Sequence, residues 1–199
     1  MTRTLFHNIV FFAICAMTCH AVAQADVSRA SIGIEYGIWK PSSLDDYASQ
    51  PLKNIDGAEP YWGLTAVLPP FKSHALRLSI MQWQQNDLPE VNLASVTLRH
   101  LSADLKYVVL PQTDISPYAS YGVAAIWSRE RPVGSEGKKI PLDRAGWGLN
   151  LGAGIDFQLH QRWALGVEYQ YLYAMFPNRV GLTDNYSGPK LAARLLFLL

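Results

Sequence analysis

Only two cysteines occur, Cys15 and Cys19, and both lie near the N-terminus. The rest of the chain therefore has no thiol, no disulfide and no cysteine metal site. After the N-terminal segment no apolar run reaches the ~20 residues that a spanning helix needs. Neither sign of charge dominates: 17 Lys and Arg face 16 Asp and Glu, a net charge of +1. That balance removes the electrostatic case for nucleic acid. No phosphate-cradling loop is present either. Gly152-Ala153-Gly154 lacks the third glycine and the strand–turn–helix context of a nucleotide fingerprint.

What the chain does have begins with an export signal. Arg3 supplies a positive start, and an apolar stretch from Leu5 to Met17 follows, the length of a signal h-region and too short for an uncleaved anchor. Two cleavage frames fit: Ala21-Val22-Ala23 before Gln24, or Ala23-Gln24-Ala25 before Asp26. Ile14 and Thr18 stand before the two cysteines where a lipoprotein would need a small residue. The reading is a Sec signal peptide over 1–25 and one domain over 26–199.

That domain has a rhythm of two. From Trp147 to Phe157 the residues Trp147, Leu149, Leu151, Ala153, Ile155 and Phe157 alternate with Gly148, Asn150, Gly152, Gly154 and Asp156. One oily face and one small or polar face define a strand between unlike surroundings. The same pattern predicts strands near 31–39, 61–68, 75–84, 93–110, 118–127, 147–157, 163–173 and 186–199. In the fourth, Val96 and Leu98 stand on the opposite parity to Leu101, Leu105 and Tyr107, which predicts a β-bulge near Arg99-His100. The connections alternate between long and short, and an even strand number returns both ends to one side. The fold expected is an all-β, antiparallel transmembrane β-barrel of about eight strands, up-and-down in topology, with lipid outside and a side-chain-filled lumen. A soluble barrel is the competing architecture. Its exterior would have to be the Gly- and Ser-rich face, which is too small to coat it.

Two sets of residues follow from the parity. The inward face collects Glu35, Arg77, Asp104, Lys106, Asp156, Glu168, Lys190 and Arg194, four acids and four bases. Charges in a narrow barrel must be paired, so the expectation is a salt-bridge network, with an ion-selective path as the sharper alternative. The outward aromatics Trp62, Trp127, Trp147, Trp163, Tyr107, Phe157 and Tyr171 fall toward strand ends as two girdles at the two interfaces. Trp39 and Trp83 have lumen parity and would cap the interior.

Chemistry finds little support. A serine hydrolase needs a serine, an activating histidine and an orienting third group. Only His100 lies in a predicted strand, with Ser102 two residues on. Asp45, Asp46 and Asp56 have no spacing that defines a calcium site. No cofactor and no metal is expected.

The run Asp114-Ile115-Ser116-Pro117-Tyr118-Ala119-Ser120-Tyr121-Gly122-Val123 resembles the PY-x-x-x-G-x-G strand of small barrels of the OmpA, OmpW and OmpX type, with Ala124 in place of the second glycine. The stretch from Trp147 to Phe157, its short turn, and Trp163 to Tyr171 also look like that group. The resemblance implies an outer-membrane β-barrel of the porin-like type. The chain departs from it in ending Phe197-Leu198-Leu199 rather than on an aromatic residue. The small barrels that deacylate lipid A carry a His-x-Ser pair on the penultimate strand. Tyr169-Gln170-Tyr171-Leu172-Tyr173 has neither residue. The function expected is structural or surface-interacting, with 41–59, 128–143 and 174–185 meeting the exterior. A narrow channel for small or apolar solutes is the alternative, and a lipid A-modifying enzyme the remoter one. The expected partners are outer-membrane lipid and lipopolysaccharide and the barrel-assembly machinery. The expected state is a monomer in the bacterial outer membrane.

Overall fold

Alternation alone makes these segments strands, and the burial of their two faces shows which medium each meets. The computed structural model describes residues 30–44, 58–68, 73–88, 92–109, 114–133 and 142–199. The export signal and Asp45, Asp46 and Asp56 lie outside them. The strands are β1 (Ser31–Trp39), β2 (Glu59–Val67), β3 (His74–Leu88), β4 (Leu93–Val108), β5 (Ile115–Pro132), β6 (Leu142–His160), β7 (Trp163–Val180), β8 (Thr183–Asn185) and β9 (Gly188–Leu198). All pairings are antiparallel, in the order β6-β5-β4-β3-β2-β1-β9-β7, and β6 pairs with β7 to close the ring. Eight staves form the barrel, while β8 is a short strand that pairs with β7. The backbone N–H of Leu199 donates to Ala30 O at 2.8 Å, so both ends of the described barrel share one rim. In bacterial barrels that rim is periplasmic.

The faces are inverted relative to a water-soluble protein. Ile34 and Leu151 are 59% and 68% exposed, whereas Arg77 and Glu168 are 2% and 3% exposed. Apolar outside and ionic inside is stable only in lipid.

Three expectations need correction. The strands of β4 and β5 stay in register through Arg99 and His100; the irregularity falls between Leu93 and Ser95. Val96, Leu98 and His100 all point inward together with Ser102 and Asp104. The apparent slip was a change in lumen chemistry, not in backbone phase. Second, much of 128–143 is ladder: β5 runs to Pro132 and β6 begins at Leu142. Third, 174–185 is no open loop. Strand β7 continues to Val180, turns at Gly181 and returns as β8. Gly181 holds a φ of +56°, a region side chains avoid, and its N–H donates to Glu130 Oε1 at 2.7 Å. The Tyr186 hydroxyl donates to Val180 O at 2.7 Å. Phe176, Val180, Leu182 and Tyr186 are thereby buried over the barrel mouth.

The lumen consequently has two layers. Toward the external rim it is apolar, built on Trp39, Trp83, Leu98, Ile126 and Leu172. Toward the periplasmic rim it is ionic.

Candidate functional site

Strand pairing brings the lower-lumen charges together. Arg77 and Asp104 are opposite each other across β3 and β4, and Glu35 and Arg194 across β1 and β9. Glu168 reaches in from β7 and joins the two pairs. It accepts from Arg77 Nη1 at 2.7 Å and Nη2 at 3.1 Å, from Arg194 Nη2 at 2.5 Å and from Ser120 Oγ at 2.5 Å. Arg77 also donates to Asp104 Oδ2 through Nε at 3.2 Å and Nη2 at 3.0 Å. Asp104 further accepts from Asn150 Nδ2 at 2.8 Å and Ser102 Oγ at 3.3 Å. Arg194 Nε lies 3.9 Å from Glu35 Oε2, and the Tyr61 hydroxyl donates to Glu35 Oε1 at 2.8 Å. The guanidinium of Arg194 also donates to the Tyr118 hydroxyl. Lys106 pairs with Asp156 and sits 4.0 Å over the Tyr118 ring.

Seven of the eight inward charges are thus linked by ion pairs. Lys190 stands apart. It donates to Gln170 Oε1 at 3.0 Å, contacts Met81 Sδ at 3.1 Å and lies 4.8 Å over the Tyr61 ring. Among the described residues no carboxylate oxygen comes within 4 Å of it. Its height explains this, because it pairs in register with Trp39, at the floor of the apolar layer.

Small residues make the room. A Cβ at Gly154 would lie 2.4 Å from the Tyr118 hydroxyl, and one at Gly122 would lie 2.3 Å from Asp104 Oδ1. Sequence reasoning named the charges but not Tyr61, Tyr118, Ser120, Asn150 and Gln170, which complete their hydrogen bonding. Their inward parity was the available signal.

The ring of His100 is buried, and neither nitrogen has a hydrogen-bond partner. Ser102 donates instead to Asp104, so the His100–Ser102 pair does not form a nucleophile and base. Among the described residues no group of His, Cys, Asp and Glu could hold a metal ion.

On the outer wall Trp62, Trp127, Trp147, Trp163 and Tyr171 are exposed and Tyr107 and Phe157 half-buried. Trp147 packs on Tyr173 with ring centroids 5.9 Å apart, and Trp163 on Phe197 at 5.1 Å. Trp39 and Trp83 are fully buried in the lumen, 5.3 Å apart. They cap it rather than join a girdle.

Comparison with known proteins agrees with this architecture. Neisserial surface protein A superposes with a TM-score of 0.62 at 13% identity, covering 88% of this chain and 99% of that one. Ail, the attachment invasion locus protein of Yersinia pestis, solved with the heparin analogue sucrose octasulfate, gives 0.52 at 16% identity over 86% and 97%. The outer membrane protein OprG from Pseudomonas aeruginosa gives 0.52 at 15% identity over 86% and 92%. At these identities the likeness speaks for the fold. No curated protein matches the sequence. The family model for the outer membrane protein beta-barrel domain matches residues 9–189, and with the inverted barrel described above, the chain belongs to that outer-membrane family.

Proposed function

We propose that this protein is a closed, non-catalytic barrel of the outer membrane whose external connections carry its interactions. The single observation behind this reading is the two-layer seal of the lumen. An ion-paired network fills the lower half, and buried aromatic and aliphatic side chains fill the upper half. A water column needs a continuous polar path, and a barrel of eight strands has room for little beyond its own side chains. The reading favours a surface-contact role over a narrow channel for small or apolar solutes. It is also against lipid A modification, since Ser102, the serine nearest His100 in sequence, is committed to Asp104. Ail, named as the attachment invasion locus protein of Yersinia pestis, shares the fold, and a surface-contact role is compatible with such a barrel. In this reading the exported chain is inserted by the barrel-assembly machinery and works as a monomer among lipopolysaccharide. The mature chain, refolded and heat-modifiable on gels, is placed in a planar bilayer. The expected result is silence over the voltage range the bilayer tolerates. Reproducible unitary steps would overturn the closed-barrel reading in favour of the channel.

A further inference from the structure

The outward wall carries one feature that neither the seal nor the girdles use. On β1, β2 and β9 every outward position is uncharged: Ile32, Ile34, Tyr36 and Ile38; Pro60, Trp62, Leu64 and Ala66; Leu191, Ala193, Leu195 and Phe197. On β4, β5 and β6 the outward rows instead end in Arg99, Arg129, Arg131 and Asp143, all exposed. With Gln82, Gln84, Thr97 and Trp127 these line a single depression of about 580 Å³. Three guanidinium groups and one carboxylate leave two positive charges there.

The height of this depression matters. Arg99 pairs in register with Trp127, and Tyr107 lies further down β4, opposite His74 at the start of β3. Eight residues separate Arg99 from Tyr107. On a strand tilted by ~40° that is on the order of 20 Å along the membrane normal. An apolar band is ~25 Å tall, so Arg99 lies near its upper edge, and Arg131, four residues beyond Trp127 on β5, reaches the headgroup level of the outer leaflet; both are on the outward face, not in the lumen. Their donors are partly committed. Arg129 holds Asp143 through Nε at 3.0 Å and Nη2 at 3.2 Å. Arg99 donates its Nε to Gln82 Oε1 at 3.1 Å, and among the described residues no acceptor engages its terminal nitrogens. No described residue offers Arg131 a carboxylate within 4 Å. Guanidinium forks match phosphate oxygens in bidentate geometry, and Trp127, level with Arg99 and below Arg129 and Arg131, suits the boundary between headgroup and acyl chain.

We propose that this cleft is a binding site for the phosphate groups of an anionic glycolipid of the outer leaflet, with Arg99 and Arg131 as the phosphate ligands. Arg129 and Asp143 brace each other between them, and acyl chains descend past Trp127. The site is independent of whether the lumen conducts.

The test uses the refolded mature barrel in neutral detergent, with bound lipid counted by native mass spectrometry. The probes are bis-phosphorylated lipid A, the same lipid A with its phosphates removed, inorganic phosphate, and a sulfated oligosaccharide. Gel heat-modifiability certifies the fold of each variant. The proposal expects the bis-phosphorylated lipid to be retained at least about tenfold better than the dephosphorylated one, and Arg99→Gln with Arg131→Gln to abolish that preference. Arg162→Gln, the same charge loss at a periplasmic turn, leaves it intact. Equal retention of the two lipids, or an undiminished preference in the double variant, overturns the proposal. So does tighter binding of inorganic phosphate or of the sulfated oligosaccharide than of the lipid. If the double variant fails to fold, salt decides on the native chain. Retention of the phosphorylated lipid must fall steeply with ionic strength while that of the dephosphorylated lipid does not, and parallel behaviour of the two overturns the assignment.

Discussion

The two halves of the lumen occupy equivalent positions on the same staves yet are filled by opposite means. Near the external rim Trp39, Trp83, Leu98 and Ile126 fill space by shape. Near the periplasmic rim Arg77, Glu168 and Arg194 fill it by charge and direction. An apolar layer depends on volume and accepts another apolar side chain of like size. An ionic layer depends on partners. Each carboxylate or guanidinium removed strands the charges it neutralised in a medium that penalises them. The halves should therefore respond differently to equally small changes, although both are equally buried.

The largest break in the comparison is at Glu168, which two guanidinium groups and Ser120 share. Glu168→Ala leaves Arg77 with Asp104 as its one carboxylate, and Arg194 with the neutral Tyr118 hydroxyl and the 3.9 Å approach to Glu35. The expected loss is roughly 3–5 kcal/mol in urea unfolding from lipid or detergent. Glu168→Ala combined with Arg77→Ala should cost less than the sum of the single changes. Near-zero losses throughout would mean that water screens the layer.

A smaller effect sharpens the contrast from the apolar side. Leu98 is 1% exposed in the upper layer, and Leu98→Met conserves volume without introducing a partnerless group. Its cost should stay under about 1.5 kcal/mol in the same unfolding measurement. Glu168→Gln is just as conservative in volume but removes a charge that two cations face, and should cost clearly more. If the two variants cost the same, the distinction between the halves fails.

How far the sequence foretells this division can be read at individual residues. Alternation is decided by the backbone, so the parity of Glu35, Arg77 or Glu168 is visible in the chain, and with it the barrel and its ionic content. Pairing is decided by register. Nothing local in Arg77 says that it lies opposite Asp104 and reaches across the lumen to β7. The apolar layer was harder, because an inward Val96 or Leu98 looks like a phase error when the lumen is taken to be polar throughout. Closure by β8 was hidden for a different reason. Pro177, Asn178 and Gly181 read as loop, whereas the hydrogen bonds from Gly181 to Glu130 and from Tyr186 to Val180 are tertiary. The polar residues Asn86, Arg129 and Asp143, outward on the extended ends of β3, β5 and β6, gave strand extension no oily stripe to reveal it.

The smallest effect isolates burial as the cause of the difference. Arg129 and Asp143 repeat the carboxylate–guanidinium chemistry of Arg77 and Asp104, with two bonds of 3.0 and 3.2 Å, but their side chains are 55% and 60% exposed. The hydrogen bond from Arg129, aided by its charge, holds the Asp143 carboxyl below the usual carboxylate range. A carboxylate whose pKa is depressed on folding contributes stability above its unfolded pKa, and loses it as the pH falls through the folded value. The contribution of this pair is thus present at neutral pH and fades only in the acid region below the ordinary aspartate pKa of about 3.9. Solvent and salt screen so open a pair strongly. Comparing the unfolding midpoints of the native chain and Asp143→Asn from neutral pH downward should give a slight gap at low salt. That gap should close on acidification and should vanish in high salt at neutral pH. A gap approaching that of Glu168→Ala, or one that persists in high salt, would show that pairing alone, without burial, makes these charges costly to remove.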